Sequence, residues 1–119
     1  MRVLVIDNEG SIRDLIRMIL EQVGYDVVTA ESGEHGIRIF QANGNFDLVW
    51  TDWDMPGGMN GEMVIAEIRR LEPRQPIVLY TSTQDVLERL AKTPGDFTVL
   101  RKPAYNQDVR HAVAATIND

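Results

Sequence analysis

Short apolar runs alternate with stretches of helical periodicity along this 119-residue chain. Each run is predicted as a strand because it holds consecutive apolar residues and is bounded by polar or turn-forming residues. The runs lie at about Val3–Ile6, Tyr25–Thr29, Leu48–Trp50, Ile77–Thr81 and Phe97–Leu100. A fivefold alternation of strand and helix favours a parallel sheet covered by helices on both faces. The expected fold is therefore a single α/β domain.

The segments between these runs carry signals for helix starts and stops. Ser11 is a candidate N-cap for a first helix, and Gly24 is placed to end it. Ser32 is a candidate N-cap for a second helix, which is expected to be short because Gly33 and Gly36 each cost about 1 kcal/mol relative to Ala. Further helices are predicted around Val64–Leu71, over about Asp85–Lys92, and from about Asn106 to Ile117.

Composition excludes several classes of protein. The apolar content of 44% and charged content of 25% are those of a globular domain, and the chain has no cysteine for a disulfide or thiolate metal site. The longest apolar runs are too short to span a membrane, so a cytoplasmic location is expected. The net charge of −6 argues against nucleic-acid binding, and the pairs Arg69-Arg70 and Arg101-Lys102 are too small to reverse that.

Polar side chains follow four of the predicted strands. Asp7 follows the first, Asp52 the third, Thr81 ends the fourth, and Lys102 comes just after the fifth. Taken alone, Asp52 is as well explained as a cap for the turn after it. In parallel strands, however, all four arrive at one edge of the sheet, where open α/β sheets bind ligands. Carboxylates, a hydroxyl and an ammonium together suit Mg²⁺ and a phosphoryl group.

With these motifs in this order, the sequence closely resembles the receiver domain of two-component response regulators over essentially residues 1–119. The resemblance implies a doubly wound, flavodoxin-like sheet of strand order 2-1-3-4-5 with five helices on two faces. It also implies a cytoplasmic signalling domain that is no enzyme beyond self-phosphorylation and autodephosphorylation. Both a stand-alone receiver and part of a longer regulator fit the resemblance.

The resemblance assigns a role to each residue of the acidic edge. Asp52 matches the aspartate that accepts a phosphoryl group from a phosphohistidine, and Lys102 the lysine that pairs with a phosphoryl oxygen. The bond between Lys102 and Pro103 is expected to be cis. Thr81 matches the hydroxyl residue that reports phosphorylation to the surface, and the positions of Asp54 and Thr83 tune phosphoryl lifetime in the family.

The family's Mg²⁺ ligands map onto Asp7, Asn8, Asp52 and the backbone carbonyl of Asp54. Position 8 usually carries a second acidic residue, and Asn8 therefore removes one negative charge from the site. Because metal affinity falls with ligand charge, Mg²⁺ binding is expected to be weaker than is typical of receivers.

Two further departures concern the surroundings of the site. The loop Met55–Gly61 is one residue longer than the usual pattern, and it is expected to be looser. Val99 stands where many receivers carry a switch aromatic, so Tyr80 or Tyr105 is the candidate replacement. Trp53 is expected to lie partly exposed at the edge of the site.

The expected partners are a sensor histidine kinase or phosphotransfer protein and a downstream effector. The effector, or a second copy in a homodimer, would bind the face built from the predicted fourth helix, fifth strand and fifth helix. An alternative, based on Asn8, is a pseudo-receiver that binds proteins without phosphorylation. A third hypothesis compares Asp52-Trp53-Asp54 with the DxD pair of haloacid-dehalogenase-type phosphatases, which place that pair after the first strand of a larger domain.

Overall fold

The computed structural model describes residues 1–85 and 97–118. Strands and helices alternate along the chain as predicted. The elements are β1 Arg2–Ile6, α1 Gly10–Gln22, β2 Asp26–Ala30, α2 Gly33–Asn43, β3 Leu48–Asp52, α3 Gly61–Leu71, β4 Ile77–Thr81, β5 Phe97–Arg101 and a C-terminal helix Asn106–Asn118.

The five strands form one sheet in the order β2-β1-β3-β4-β5, and every neighbouring pair is parallel. The predicted sheet order is thereby confirmed. Four of the five predicted helices are present, whereas the helix predicted over about 85–92 lies outside the described residues except for its first residue.

Two apolar clusters cover opposite faces of the sheet. One includes Trp50 and Tyr80 and packs under α1 and the C-terminal helix. The other includes Ile6 and Val49 and packs under α2 and α3. Every residue of β3 and β4 is buried, which explains their unbroken apolar sequences and leaves their carboxyl ends as the accessible parts.

Helix α1 begins two residues earlier than the capping pattern predicts. Its N-cap is Glu9, which makes no side-chain cap, and Ser11 lies inside the first turn. The start is determined by contacts beyond the helix, since Asp7 Oδ1 accepts the Glu9 N–H at 2.9 Å. The predicted stop is correct, because Gly24 has a φ of 96° and its N–H donates to Glu21 O.

Helix α2 is longer than expected. It spans eleven residues, and the Ser32 side chain accepts the His35 N–H as predicted. The prediction of a short helix was wrong, and Gly36, one of the two glycines behind it, has a packing role. A Cβ at position 36 would lie 2.4 Å from Ile6 Cδ1, so the missing side chain lets α2 approach β1 closely. None of the described helices has the length and apolarity needed to cross a bilayer.

Candidate functional site at the carboxyl edge of the sheet

The register of the sheet brings Asp7 and Asp52 together. Ile6 on β1 pairs with Thr51 on β3, so the residue that follows each of them lies at the same edge. Both carboxylates are 1% exposed. Such burial of two acids at the switch point of an open α/β sheet is typical of a binding or catalytic site.

Lys102 reaches the same edge from the end of β5. Its backbone N–H donates to Thr81 O at 2.9 Å, which extends the pairing of β4 and β5 by one residue. Its peptide bond to Pro103 is cis, as expected. The ammonium donates to Asp52 Oδ1 at 2.6 Å and lies 3.9 Å from Asp54 Oδ2. Lys102 is thus the cation of the acidic site.

Burial shifts the pKa values of these groups. It raises the pKa of Asp7 to about 6, the Glu9 N–H opposes that rise, and the nearby Asp52 carboxylate adds to it. Burial also raises the pKa of Asp52, against the hydrogen bond and charge of Lys102. Burial disfavours the charged form of Lys102, but the adjacent carboxylates outweigh it and raise the Lys102 pKa. A positive charge added at the site would therefore stabilise the ionised forms of Asp7 and Asp52.

Asp7 has one oxygen satisfied and one without a donor. Its Oδ1 accepts the Glu9 N–H, whereas its buried Oδ2 has no hydrogen-bond partner among residues 1–85 and 97–118. Asn8 is exposed. Over residues 1–85 and 97–118, no three acidic or histidine side chains form a group that could hold a metal ion. Asp7 and Asp52 are therefore the two buried carboxylates at this edge that could ligate a cation, with backbone carbonyls or waters to complete its shell.

Asp54 connects the acidic edge to the hydroxyls that follow β4. Its Oδ1 accepts from Thr83 Oγ1 at 3.2 Å, and its Oδ2 lies 3.5 Å from Thr81 Oγ1. The Thr81 hydroxyl also accepts the Thr83 N–H at 3.1 Å. Thr81 is completely buried. The structure thus brings together five of the six predicted site residues, Asp7, Asp52, Asp54, Thr81 and Lys102. The sixth, Asn8, is exposed.

The long loop after β3 is attached to α2. The Glu34 carboxylate accepts the Met59 N–H at 2.7 Å, and the Gly61 N–H donates to Trp53 O at 3.0 Å. Gly58 adopts a φ of 146°, a conformation that favours glycine, and it packs closely on the Glu34 carboxylate. Glu34 was not predicted from the sequence, because no local pattern links α2 to a loop some 25 residues later.

The aromatic residues near the site differ in exposure. Trp53 is half-buried, as predicted. Tyr105 is 74% exposed, whereas Tyr80 is 6% exposed and lies with its ring centroid 5.2 Å from the Lys102 ammonium. Of the two tyrosines considered as replacements for a switch aromatic, only Tyr80 contacts a residue of the acidic site within the described part of the chain.

Residues 3–114 match the family model described as the response regulator receiver domain. Transcriptional regulatory protein GlrR of Escherichia coli (strain K12) is 32% identical over 92% of this chain. The autoinducer sensor kinase/phosphatase CqsS of Vibrio cholerae is 33% identical over 98% of this chain. A crystal structure of a response regulator receiver domain protein from Clostridium thermocellum superposes with a TM-score of 0.89, at 37% identity, covering 98% of this chain and 94% of that one.

The chain corresponds to only part of these two larger relatives. It spans 24% of the length of GlrR and 17% of the length of CqsS. Proteins of two kinds, a transcriptional regulator and a sensor kinase, therefore contain a segment similar to this one.

Proposed function

The chain belongs to the receiver-domain family of two-component systems, and from that premise we propose that it is a Mg²⁺-dependent phosphoacceptor whose acceptor is Asp52. The observation that carries the proposal is the 2.6 Å contact between the Lys102 ammonium and the buried Asp52 carboxylate, beside the second buried carboxylate of Asp7. A site with two buried carboxylates and one ammonium suits a phosphoryl group that binds together with a metal ion, because the metal offsets the negative charge of both.

In the proposed reaction a carboxylate oxygen of Asp52 attacks the phosphorus of a phosphohistidine on a sensor kinase or phosphotransfer protein. The new bond is O–P, the P–N bond breaks, and its electron pair leaves with the imidazole nitrogen. An ionised carboxylate needs no general base. The Lys102 ammonium is placed to pair with a phosphoryl oxygen, since it already contacts the Asp52 oxygen.

The residues present fit a Mg²⁺ ion. The buried Asp7 Oδ2 has no donor in the described part of the chain, so a hard cation would satisfy it. Asp7, Asp52 and the backbone carbonyl of Asp54 are the candidate ligands, and Asn8 is exposed beside them. Mg²⁺ keeps several waters and binds through one or two carboxylates, which matches this set. When bound, the ion neutralises negative charge on the transferred group.

Thr81 and Asp54 offer a route from phosphorylation to partner binding. The hydroxyl of Thr81 lies near Asp54 Oδ2 in the unphosphorylated protein, and a phosphoryl group on Asp52 would offer it a stronger acceptor. Withdrawal of Thr81 from Asp54 would release the Thr83 backbone held by the same hydroxyl. An effector protein, or a second copy of the chain, would then bind the altered surface.

Intact-mass spectrometry after incubation with Mg²⁺ and acetyl phosphate tests the proposal. We expect one added phosphoryl group on the wild-type protein and none on Asp52→Asn. The matched control is Asp26→Asn, which changes an exposed aspartate at the opposite edge of the sheet and should leave the adduct in place. Chelation of Mg²⁺ before the reaction should abolish the phosphoryl adduct of the wild-type protein.

The pseudo-receiver is the second candidate, and it is favoured by Asn8, which stands where receivers usually carry a second acidic residue. If folded wild-type protein gains no phosphoryl group at millimolar Mg²⁺, the phosphoacceptor proposal fails, and the pseudo-receiver becomes the proposed function.

A further inference from the structure

We propose that Tyr80 is a positioning residue that holds Lys102 against Asp52. The inference deepens the proposed function, because Lys102 is the cation of the phosphoacceptor site. Tyr80 lies on the face of the sheet covered by α1 and the C-terminal helix and is 6% exposed.

The backbone of Tyr80 lies between the two strands that carry the reacting groups. It pairs with Asp52 of β3 on one side and with Leu100 of β5 on the other. Its carbonyl accepts the Trp53 N–H at 3.0 Å, immediately after Asp52. Movement of this residue would therefore change the distance between the ends of β3 and β5.

The side chain of Tyr80 contacts the segment 102–104 at two points. Its hydroxyl accepts the Ala104 N–H at 3.1 Å, and its ring centroid lies 5.2 Å from Lys102 Nζ. The second distance is within the range of a cation–π interaction. Together with the hydrogen bond from Lys102 N to Thr81 O, the two contacts hold this segment at three places.

The ring is itself held in place. Its centroid lies 5.3 Å from that of Trp50, with an interplanar angle of 48°, inside the apolar cluster under the C-terminal helix. A packed ring has few rotamers open to it, so its hydroxyl is a fixed acceptor. Phenylalanine would keep the ring and lose the acceptor, which would leave the Ala104 N–H without its partner. Leucine would lose both contacts.

Tyr80→Phe and Tyr80→Leu test the inference in two ways. In the unphosphorylated protein, ¹⁵N relaxation of the Lys102 ammonium and amide exchange at Ala104 report whether the segment is held. We expect Ala104 exchange to be faster by about tenfold or more in Tyr80→Phe, which keeps the ring, and we expect a larger effect together with a mobile ammonium in Tyr80→Leu. In acetyl phosphate reactions, the maximal rate of Asp52 phosphorylation should fall on the order of tenfold, with the half-saturating concentration nearly unchanged.

Thr98→Val is the matched control. It also removes one hydroxyl, from the 2.6 Å contact between Thr98 and Thr116, on the same side of the molecule but away from Lys102. We expect it to lose stability without a change in Lys102 mobility or in the maximal rate. Wild-type Ala104 exchange and a wild-type maximal rate in Tyr80→Phe, or wild-type ammonium mobility in Tyr80→Leu, would overturn the inference. If the wild-type protein takes no phosphoryl group, the proposed function fails, and the relaxation and exchange data still decide the role of Tyr80.

Discussion

The Lys102 ammonium lies 2.6 Å from Asp52 Oδ1, although fifty positions separate the two residues. Replacement of Lys102 by alanine leaves the Asp52 carboxylate without its cation. We expect acetyl phosphate to phosphorylate Lys102→Ala about a hundredfold more slowly than wild type, because the charge that faces the transferred group is lost. Intact-mass time courses measure the rate. Arg101→Ala removes the same charge from the exposed neighbouring position and should react at the wild-type rate.

Asp7→Asn is expected to stabilise the protein at neutral pH in the absence of Mg²⁺. Its folded-state pKa of about 6 lies above the ordinary value of 3.8, so the folded state binds the proton more tightly than the unfolded state. The stability that Asp7 contributes is therefore complete below about pH 4 and declines as pH rises to about 6. A pKa rise of this size corresponds to a loss of about 3 kcal/mol in the free energy of unfolding.

Urea unfolding of both proteins at several pH values checks this prediction. The free energy of unfolding of Asp7→Asn should exceed that of the wild type above about pH 6, and the difference between the two proteins should vanish towards pH 4. Added Mg²⁺ should stabilise the wild type more than the variant. A difference that does not change with pH would show that the Asp7 pKa is not raised.

Asn8→Asp is expected to strengthen Mg²⁺ binding on the order of tenfold, because it adds a carboxylate beside Asp7 and raises the negative charge available to the ion. Isothermal titration calorimetry measures the affinity. Asn45→Asp makes the same change of charge at an exposed position before β3, at the opposite edge of the sheet. Equal effects of the two variants would point to net charge alone.

Asp54→Asn is expected to lengthen the lifetime of phosphorylated Asp52 by about fivefold. The Asp54 carboxylate would repel the phosphoryl group, and at about 4 Å such repulsion is worth about 1 kcal/mol in water. Intact-mass spectra after removal of the phosphodonor give the decay rate. Thr83→Val loses the hydroxyl bonded to Asp54 and keeps the charge, so it should change the lifetime less. A faster decay in Asp54→Asn would contradict the prediction.

Gly36→Ala is expected to lower the free energy of unfolding by about 1–3 kcal/mol, because its Cβ would lie 2.4 Å from the buried Ile6 side chain. Urea unfolding measures the loss. At Gly10 the nearest atom to such a Cβ is the Arg13 guanidinium at 3.5 Å, so Gly10→Ala should be neutral or slightly stabilising. A neutral Gly36→Ala would show that α2 and β1 can separate without cost.

Local patterns were sufficient for most of the fold. The apolar runs located all five strands, and the bounds of β4 were predicted without error. The Ser32 cap was also correct. These features depend on neighbours within a few residues, through strand burial, side-chain periodicity and capping. The placement of Asp7, Asp52, Thr81 and Lys102 at one edge followed from the prediction of parallel strands, since the carboxyl ends of parallel strands meet at the same edge.

Contacts between distant segments decided the rest. The close approach of α2 to β1 depends on the fit of Gly36 over Ile6, and the attachment of the long loop depends on Glu34. The contact of Tyr80 with Ala104 likewise joins β4 to the segment after β5. The sequence by itself determined which elements form and which side chains reach the acidic edge. Only the tertiary structure decided which groups hold them there, because such contacts depend on packing across the sheet rather than on the order of residues.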